Sequence, residues 1–277
     1  MFELILLAIG LLGLGFAGYR DLKTTEFPDW IPYSVIVLAI FIRGVFSYLM
    51  NDFSILADSL IIGGLFLAFG LILYFSKQWG DGDAWLFGCM GFLFPANPFG
   101  VSLYFPFPAT LFFNFFFVSL FYIVIYSMLV GLKNPFIFAS FKKEIKNNFK
   151  WLAPVIAIFV AAYISMVFLF FGSVEIPARF LLIPAAVVLL ALFAVYGRLV
   201  EKDLFRKKIH ASKLRPGDVP QSARWRVLRP EEIQKMKKSG GYVWIKEGVR
   251  FAPVFAISLV ASLFFGDVFF LLMQIFV

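Results

Sequence analysis

Cysteine and histidine are almost missing from this chain. It has one cysteine, Cys89, and one histidine, His210. A lone cysteine excludes a disulfide framework and a cysteine-built zinc ribbon. A lone histidine excludes the two-histidine helix face of HExxH metalloproteases. It also leaves a single candidate base for Ser–His or Cys–His catalysis. Any chemistry must run on carboxylates, Lys, Ser or Tyr, and no metal or cofactor is expected. Charge is scarce as well: 15% of the 277 residues are charged, against about a quarter in a soluble domain. What fills the gap is apolar, with 61% hydrophobic residues, 39 of all residues being Phe. That excludes a soluble globular enzyme and places the chain in a membrane.

The apolar residues come in long runs. A spanning helix needs roughly 20 of them, and the candidates are 2–19, 31–50, 54–76, 109–131, 151–172, 178–199 and 251–275. A shorter run, Ala84 to Phe94, precedes the Pro-rich stretches PANPFG and YFPFPAT. Counting it as a tilted or broken helix gives an all-α polytopic membrane protein of about eight segments. The first run carries Glu3 before it and its positive charges after it. A cleaved secretory signal has the opposite polarity, so this run is expected to stay as a helix.

The net charge of +8 is concentrated. Residues 200–250 hold 14 Lys and Arg against 6 Asp and Glu, an excess equal to that of the whole chain. The loop 132–150 adds five Lys and one Glu. The positive-inside rule puts both on the cytoplasmic side. The loops 20–30 and 77–83 are then cytoplasmic too, and the lysine- and arginine-free connections 51–53 and 173–177 lie outside. Turn signals, a short helix pattern and a strand pattern at Tyr242–Ile245 make 200–250 a small folded insert. Its charge is explained by topology and by attraction to anionic lipid headgroups. No aromatic–basic nucleic-acid module is visible, so no nucleic-acid partner is expected.

Ionisable groups at membrane depth are functional candidates by default. Asp21 ends the first segment in GYRDLKTTEFPDW, and Asp83 closes WGDGD before the short fourth segment. The topology puts both at one boundary. Two close carboxylates share one proton. The ionised one can activate water and the protonated one can donate to a carbonyl oxygen and then to a leaving amine. Helix dipoles suggest Asp83, at a helix start, as resting base and Asp21, at a helix end, as resting acid. Gly80 and Gly82 permit positive φ and a close backbone approach.

These residues carry a resemblance. Gly80-Asp81-Gly82-Asp83 matches the GxGD motif of intramembrane aspartyl proteases. Asp21-Leu22-Lys23-Thr24-Thr25-Glu26-Phe27-Pro28 resembles the first-aspartate motif of the type IV prepilin peptidase family, and the order along the chain agrees. The archaeal branch, the preflagellin (archaellin) and archaeal prepilin peptidases, is the most similar. The resemblance covers 1–131, and Lys213-Leu214-Arg215-Pro216-Gly217-Asp218-Val219 is similar to the soluble region of some archaeal members. It implies that Asp21 and Asp83 are the catalytic pair. It further implies a membrane aspartyl endopeptidase that removes short basic class III signal peptides from archaellin or pilin-like precursors at the cytoplasmic face of the cell membrane. Phe27 stands where Ile is usual, and Ala84-Trp85 replaces a continuation with Lys two residues after the Asp. The bacterial zinc-type insert is absent, and the hairpin at 151–199 is extra.

The expected organisation is a peptidase core 1–131, a basic loop and extra hairpin 132–199, the basic insert 200–250 and a final helix 251–277. Glu26, Asp29 and Asp81 are candidate readers of the basic leader, against the plainer reading as solvated loop charges. Trp79 and Trp85 could bind the apolar part of a substrate helix. Arg43 and Asp58 suit pairing or snorkelling, Asp267 an outer-face position, His210 the insert surface, and Cys89 a buried apolar site. Two other functions compete. An ion-coupled transporter would use Asp21, Asp83 and Arg43 as ion-site groups, but no internal repeat is present and the carboxylates cluster at one face. A presenilin-like protease would carry its first Asp in a Tyr-Asp context inside a later helix.

Overall fold

The computed structural model describes residues 2–100, 104–171, 182–203, 206–214, 219–220, 228, 230–246, 249–268 and 270–271. The expected connection 173–177 and residues 215–218 of the Lys213–Val219 motif lie outside them, as do the first residues of the seventh expected segment and the end of the last. The elements run α1 (Phe2–Thr24), α2 (Trp30–Leu49), α3 (Ser54–Phe75), α4 (Asp81–Leu93), α5 (Phe107–Leu132), α6 (Pro135–Phe171), α7 (Leu182–Asp203), β1 (Arg206–His210), β2 (Val219–Pro220), α8 (Pro230–Ser239), β3 (Tyr242–Lys246) and α9 (Pro253–Phe265). The all-α polytopic membrane architecture holds. Among the described residues, α1, α2, α3 and α5 are each long and apolar enough to span, and the bent α6 makes a fifth if counted as one span.

Two expectations change. The stretch 132–150, read as a loop, is mostly helical, because α6 begins at Pro135. Its polar lysines hid a helix whose two parts, Phe136–Lys150 and Ala153–Leu169, are bent by 70°. Pro154 sits just past the break. Proline lacks the N–H that would bond one turn back and its ring crowds that carbonyl, which accounts for the bend. The last expected segment is interrupted: α9 ends at Phe265, where Gly266 turns to φ +65°, and helical backbone resumes at Val268.

The chain divides into two units. The first, Met1–Tyr122 with Gly248–Ile275, is built around α4. Its residues Leu86 to Leu93 are all buried. At 13 residues α4 is about 20 Å long, short of the ~30 Å hydrocarbon layer. It is a core helix, not a full span. Glycines let it lie close against α3. A Cβ on Gly70 would come within 2.8 Å of the Ala84 oxygen, and one on Gly63 within 2.3 Å of the Phe92 ring. Close backbone approach of this kind is how helices associate where no hydrophobic difference from lipid drives them.

A helix ending inside the protein leaves carbonyls that need donors. The Ser59 hydroxyl donates to the Phe92 oxygen at 2.7 Å and Arg43 Nη2 to the Leu93 oxygen at 2.6 Å. Arg43 is buried and its carboxylate partner is Glu3, at 3.4 Å. Its role is structural, as expected, but it ties α1, α2 and the end of α4 together. Trp79 is also taken up by the core. Its ring meets Phe87, Phe115 and Phe255 edge-on. Cys89 is buried.

Beyond α9, buried Asp267 accepts from the Tyr104 and Phe105 backbone N–H groups and from the Thr110 hydroxyl. Beside it, Asn114 donates to the Ser262 hydroxyl and the Gly266 carbonyl and accepts from the Val268 N–H.

The second unit, Ile123–Glu247 with Phe276–Val277, holds α6, α7 and the basic insert. Tyr196 on α7 donates its hydroxyl to the Ser127 carbonyl at 3.0 Å. The insert is folded. Its three strands form an antiparallel sheet in the order β1-β3-β2, and the strand expected at Tyr242–Ile245 is β3. Ala211, Leu214, Leu228, Ile233 and Ile245 make its core, with Ile209, Val243 and Met236 at the margin.

Candidate active site

The end of α1 fixes the first carboxylate. The Thr25 N–H closes on the Asp21 carbonyl at 2.8 Å, and Thr25 then adopts φ +63°, a left-handed stop made without glycine. The Thr24 hydroxyl lies 2.9 Å from the Arg20 oxygen and 2.6 Å from the Glu26 oxygen. The chain turns back there, and the Phe27 ring comes to rest against Gly82. A Cβ on Gly82 would meet that ring at 2.5 Å.

Asp21 is buried. Its Oδ2 accepts the Ala252 N–H at 2.9 Å, and the Arg250 guanidinium and the Phe251 N–H also bear on it. Arg250 is held at both ends. Its Nη1 donates to the Leu22 carbonyl, and its own carbonyl accepts the Tyr122 hydroxyl. Gly18 on α1 makes room for this segment, since a Cβ there would reach Pro253 Cα at 2.9 Å.

Asp83 lies in the first turn of α4, half-buried. Its Oδ2 accepts the Gly80 N–H at a long 3.3 Å. This is half of a capping box, as glycine has no side chain to complete the other half. Gly80 has φ −73°, and neither Gly80 nor Gly82 is among the residues of positive φ. The expectation that these glycines supply unusual backbone angles is therefore corrected. Gly82 supplies space for Phe27, and Gly80 an unhindered N–H beside Asp83.

The Asp21 carboxylate acts on Asp83: burial, and then that carboxylate, push Asp83 up to about 7. A helix end contributes about 1 kcal/mol, less than one pKa unit. The rise from 3.8 to about 7 outweighs it, so burial acts on Asp83 against the helix dipole that suggested it as resting base.

Of the acidic residues expected to read a leader, Asp29 and Asp81 both act on the Tyr33 hydroxyl. The Tyr33 ring meets Trp85 edge-on at 4.8 Å. Glu26, Asp29 and Asp81 are all exposed. No group of three or more His, Cys, Asp or Glu poised for a metal occurs among the described residues. His210 is an exposed residue of the insert, where its Nδ1 accepts the Ser212 N–H. Sequence reasoning missed Arg250, Phe251 and Ala252. The only available signal was an arginine just before an apolar run, which reads equally as a snorkelling residue.

Comparison with known proteins falls on the same part of the chain. Residues 8–132 match the type IV leader peptidase family. The prepilin peptidase EppA of Methanothermobacter thermautotrophicus is 28% identical over 135 residues, covering 45% of this chain and 35% of that protein. The chain thus aligns with about a third of the length of that relative. No solved structure matches. The prepilin peptidase resemblance read from the two aspartate motifs is borne out, and the transporter reading is not favoured.

Proposed function

We propose that this chain, whose residues 8–132 carry the likeness to type IV leader peptidases, is a membrane aspartyl endopeptidase acting on archaellin or type IV pilin-like precursors. The observation that supports the reading is that the turn after α1 packs on the start of α4 through Phe27 and Gly82, with the Asp21 carboxylate acting on Asp83. Both lie inside the matched span.

The roles follow from the surroundings. Burial disfavours the Asp21 carboxylate, but it accepts a backbone N–H and faces a guanidinium, donors that support the charged form and that Asp83 lacks. Asp83 has one long hydrogen bond and a carboxylate neighbour, which favours the acid. At rest Asp21 is then the general base that takes a proton from water. Asp83 is the general acid that donates to the scissile carbonyl oxygen. As the tetrahedral intermediate collapses, the proton gained by Asp21 passes to the leaving amine. The pair titrates as a unit.

The active site faces the cytoplasm, on the strength of the Lys and Arg distribution. The exposed carboxylates Glu26, Asp29 and Asp81 read the basic leader, with Tyr33 and Trp85 beside the last two. The peptidase core 1–131 is incomplete by itself, because Asp21 takes its donors from 250–252. Apart from Arg250, which faces Asp21, the insert 200–250 and the hairpin 151–199 are given no part in the chemistry.

The test is cleavage of a precursor archaellin or pilin in membranes by the wild type, Asp21→Asn and Asp83→Asn. Each variant should lose about 10²–10⁴-fold in rate while remaining folded. Full processing by either removes the mechanism.

A further inference from the structure

We infer that the outward face of the insert's sheet is a membrane-surface anchor, on which Tyr242 and Trp244 enter the headgroup layer and the cations beside them hold anionic phospholipid. The inference is independent of the peptidase reading.

Alternation along paired strands sorts this sheet into two faces. Ile209, Val243 and Ile245 point to the core beneath α8. The register then places Lys208 opposite Trp244 and His210 opposite Tyr242 on the other face. That face is open. Tyr242 is 67% exposed and Trp244 is 47% exposed, and Lys208 and His210 are exposed as well. Lys208 Nζ sits 5.2 Å from the centre of the Tyr242 ring, and the His210 ring meets Tyr242 edge-on at 5.4 Å. Two large aromatic rings left outside a small core are a liability in water. Tyr and Trp are the residues that gather at membrane interfaces, with an apolar body and a polar tip.

The occupant follows from charge and attachment. The insert holds the whole net charge of the chain, and a basic surface is drawn to anionic lipid headgroups. β1 starts three positions after α7 ends and touches it. α7 is apolar from Val187 to Val200, so the sheet is tethered within a few residues of an apolar helix.

The chain lends itself to a clean measurement because its one cysteine, Cys89, is buried. Tyr242→Cys in the full chain, reconstituted in nanodiscs, gives a single reporter for an uncharged water-soluble maleimide. Gln234→Cys, exposed on α8 on the far side of the core, is the control. In discs containing phosphatidylglycerol the Cys at 242 should react roughly fivefold more slowly, or slower still, than in phosphatidylcholine discs. Molar salt should restore the rate, and Lys208→Glu in the same background should abolish the lipid dependence. The control should ignore lipid charge. Equal rates at 242 in both lipids overturn the inference, as does shielding that appears only when precursor protein or an oligonucleotide is added. Equal slowing of the control also overturns it, since the insert would then be engaged without a preferred face. Intrinsic Trp emission of the wild-type chain, blue-shifted in anionic discs and not in neutral ones, makes the same distinction without any substitution that could disturb folding.

Discussion

The membrane unit keeps carboxylates at both ends of α9 and treats them in opposite ways. After its C-terminus, Asp267 is buried and receives two N–H groups and one hydroxyl. Before its N-terminus, Asp21 receives the Ala252 N–H, and its neighbour Asp83 has only the distant Gly80 N–H. A carboxylate with its acceptor sites filled is a structural tie. Asp83, with its single long hydrogen bond and a carboxylate neighbour, is the contrasting case. Burial alone therefore does not distinguish these carboxylates; the supply of donors does.

Substitutions should separate the two ends. Asp83→Asn should reduce precursor cleavage by about 10²–10⁴-fold with little change in thermal stability in detergent. Asp267→Ala should do the reverse, leaving buried donors unpaired at about 1–3 kcal/mol each. Its melting temperature should drop, while the folded fraction keeps its kcat. A catalytic collapse in the Asp267 variant at full stability would erase the contrast.

Smaller effects sharpen it. Arg250→Gln should lower kcat by about tenfold, the loss of one charge-assisted contact, and Arg250→Lys should recover part of it. Equal damage from both would mean that Arg250 serves packing through the Leu22 carbonyl alone. Activity should also depend on pH with a definite sign. The Asp83 proton is present below about 7 and is lost as pH rises through that value. kcat/KM should therefore fall on the alkaline side of neutrality, and a profile flat from pH 6 to 9 would contradict the assignment. The least effect is expected from Gly82→Ala, whose methyl would press on the Phe27 ring. A several-fold loss should be relieved by adding Phe27→Val, as coupled neighbours are not additive.

Local patterns were legible. The first three helices, α5, the folded insert and both aspartate motifs could be read from runs, turn residues and spacing. The partners of Asp21 could not, since Ala252 lies 231 positions away and contributes a backbone group that every residue but proline possesses. The helical 132–150 stretch was obscured by its lysines, which signal a loop and a polar helix face alike. The glycines of GxGD were identified by position, yet the use of Gly82 depends on Phe27, a contact between the α1–α2 turn and α4. The acid and base roles were open to sequence only through the helix dipoles, because desolvation depends on packing.

The hydrogen bond from the Ala252 main chain to Asp21 also bears on how this site can vary and how it can be found. An alanine scan skips position 252 by construction, and most side chains placed there would still offer the same N–H. Sequence drift at 252 is therefore compatible with an intact contact, and a comparison that looks for invariant residues would pass over it. Ala252→Pro is the substitution that deletes the donor itself, and it is the one that makes this silent partner visible.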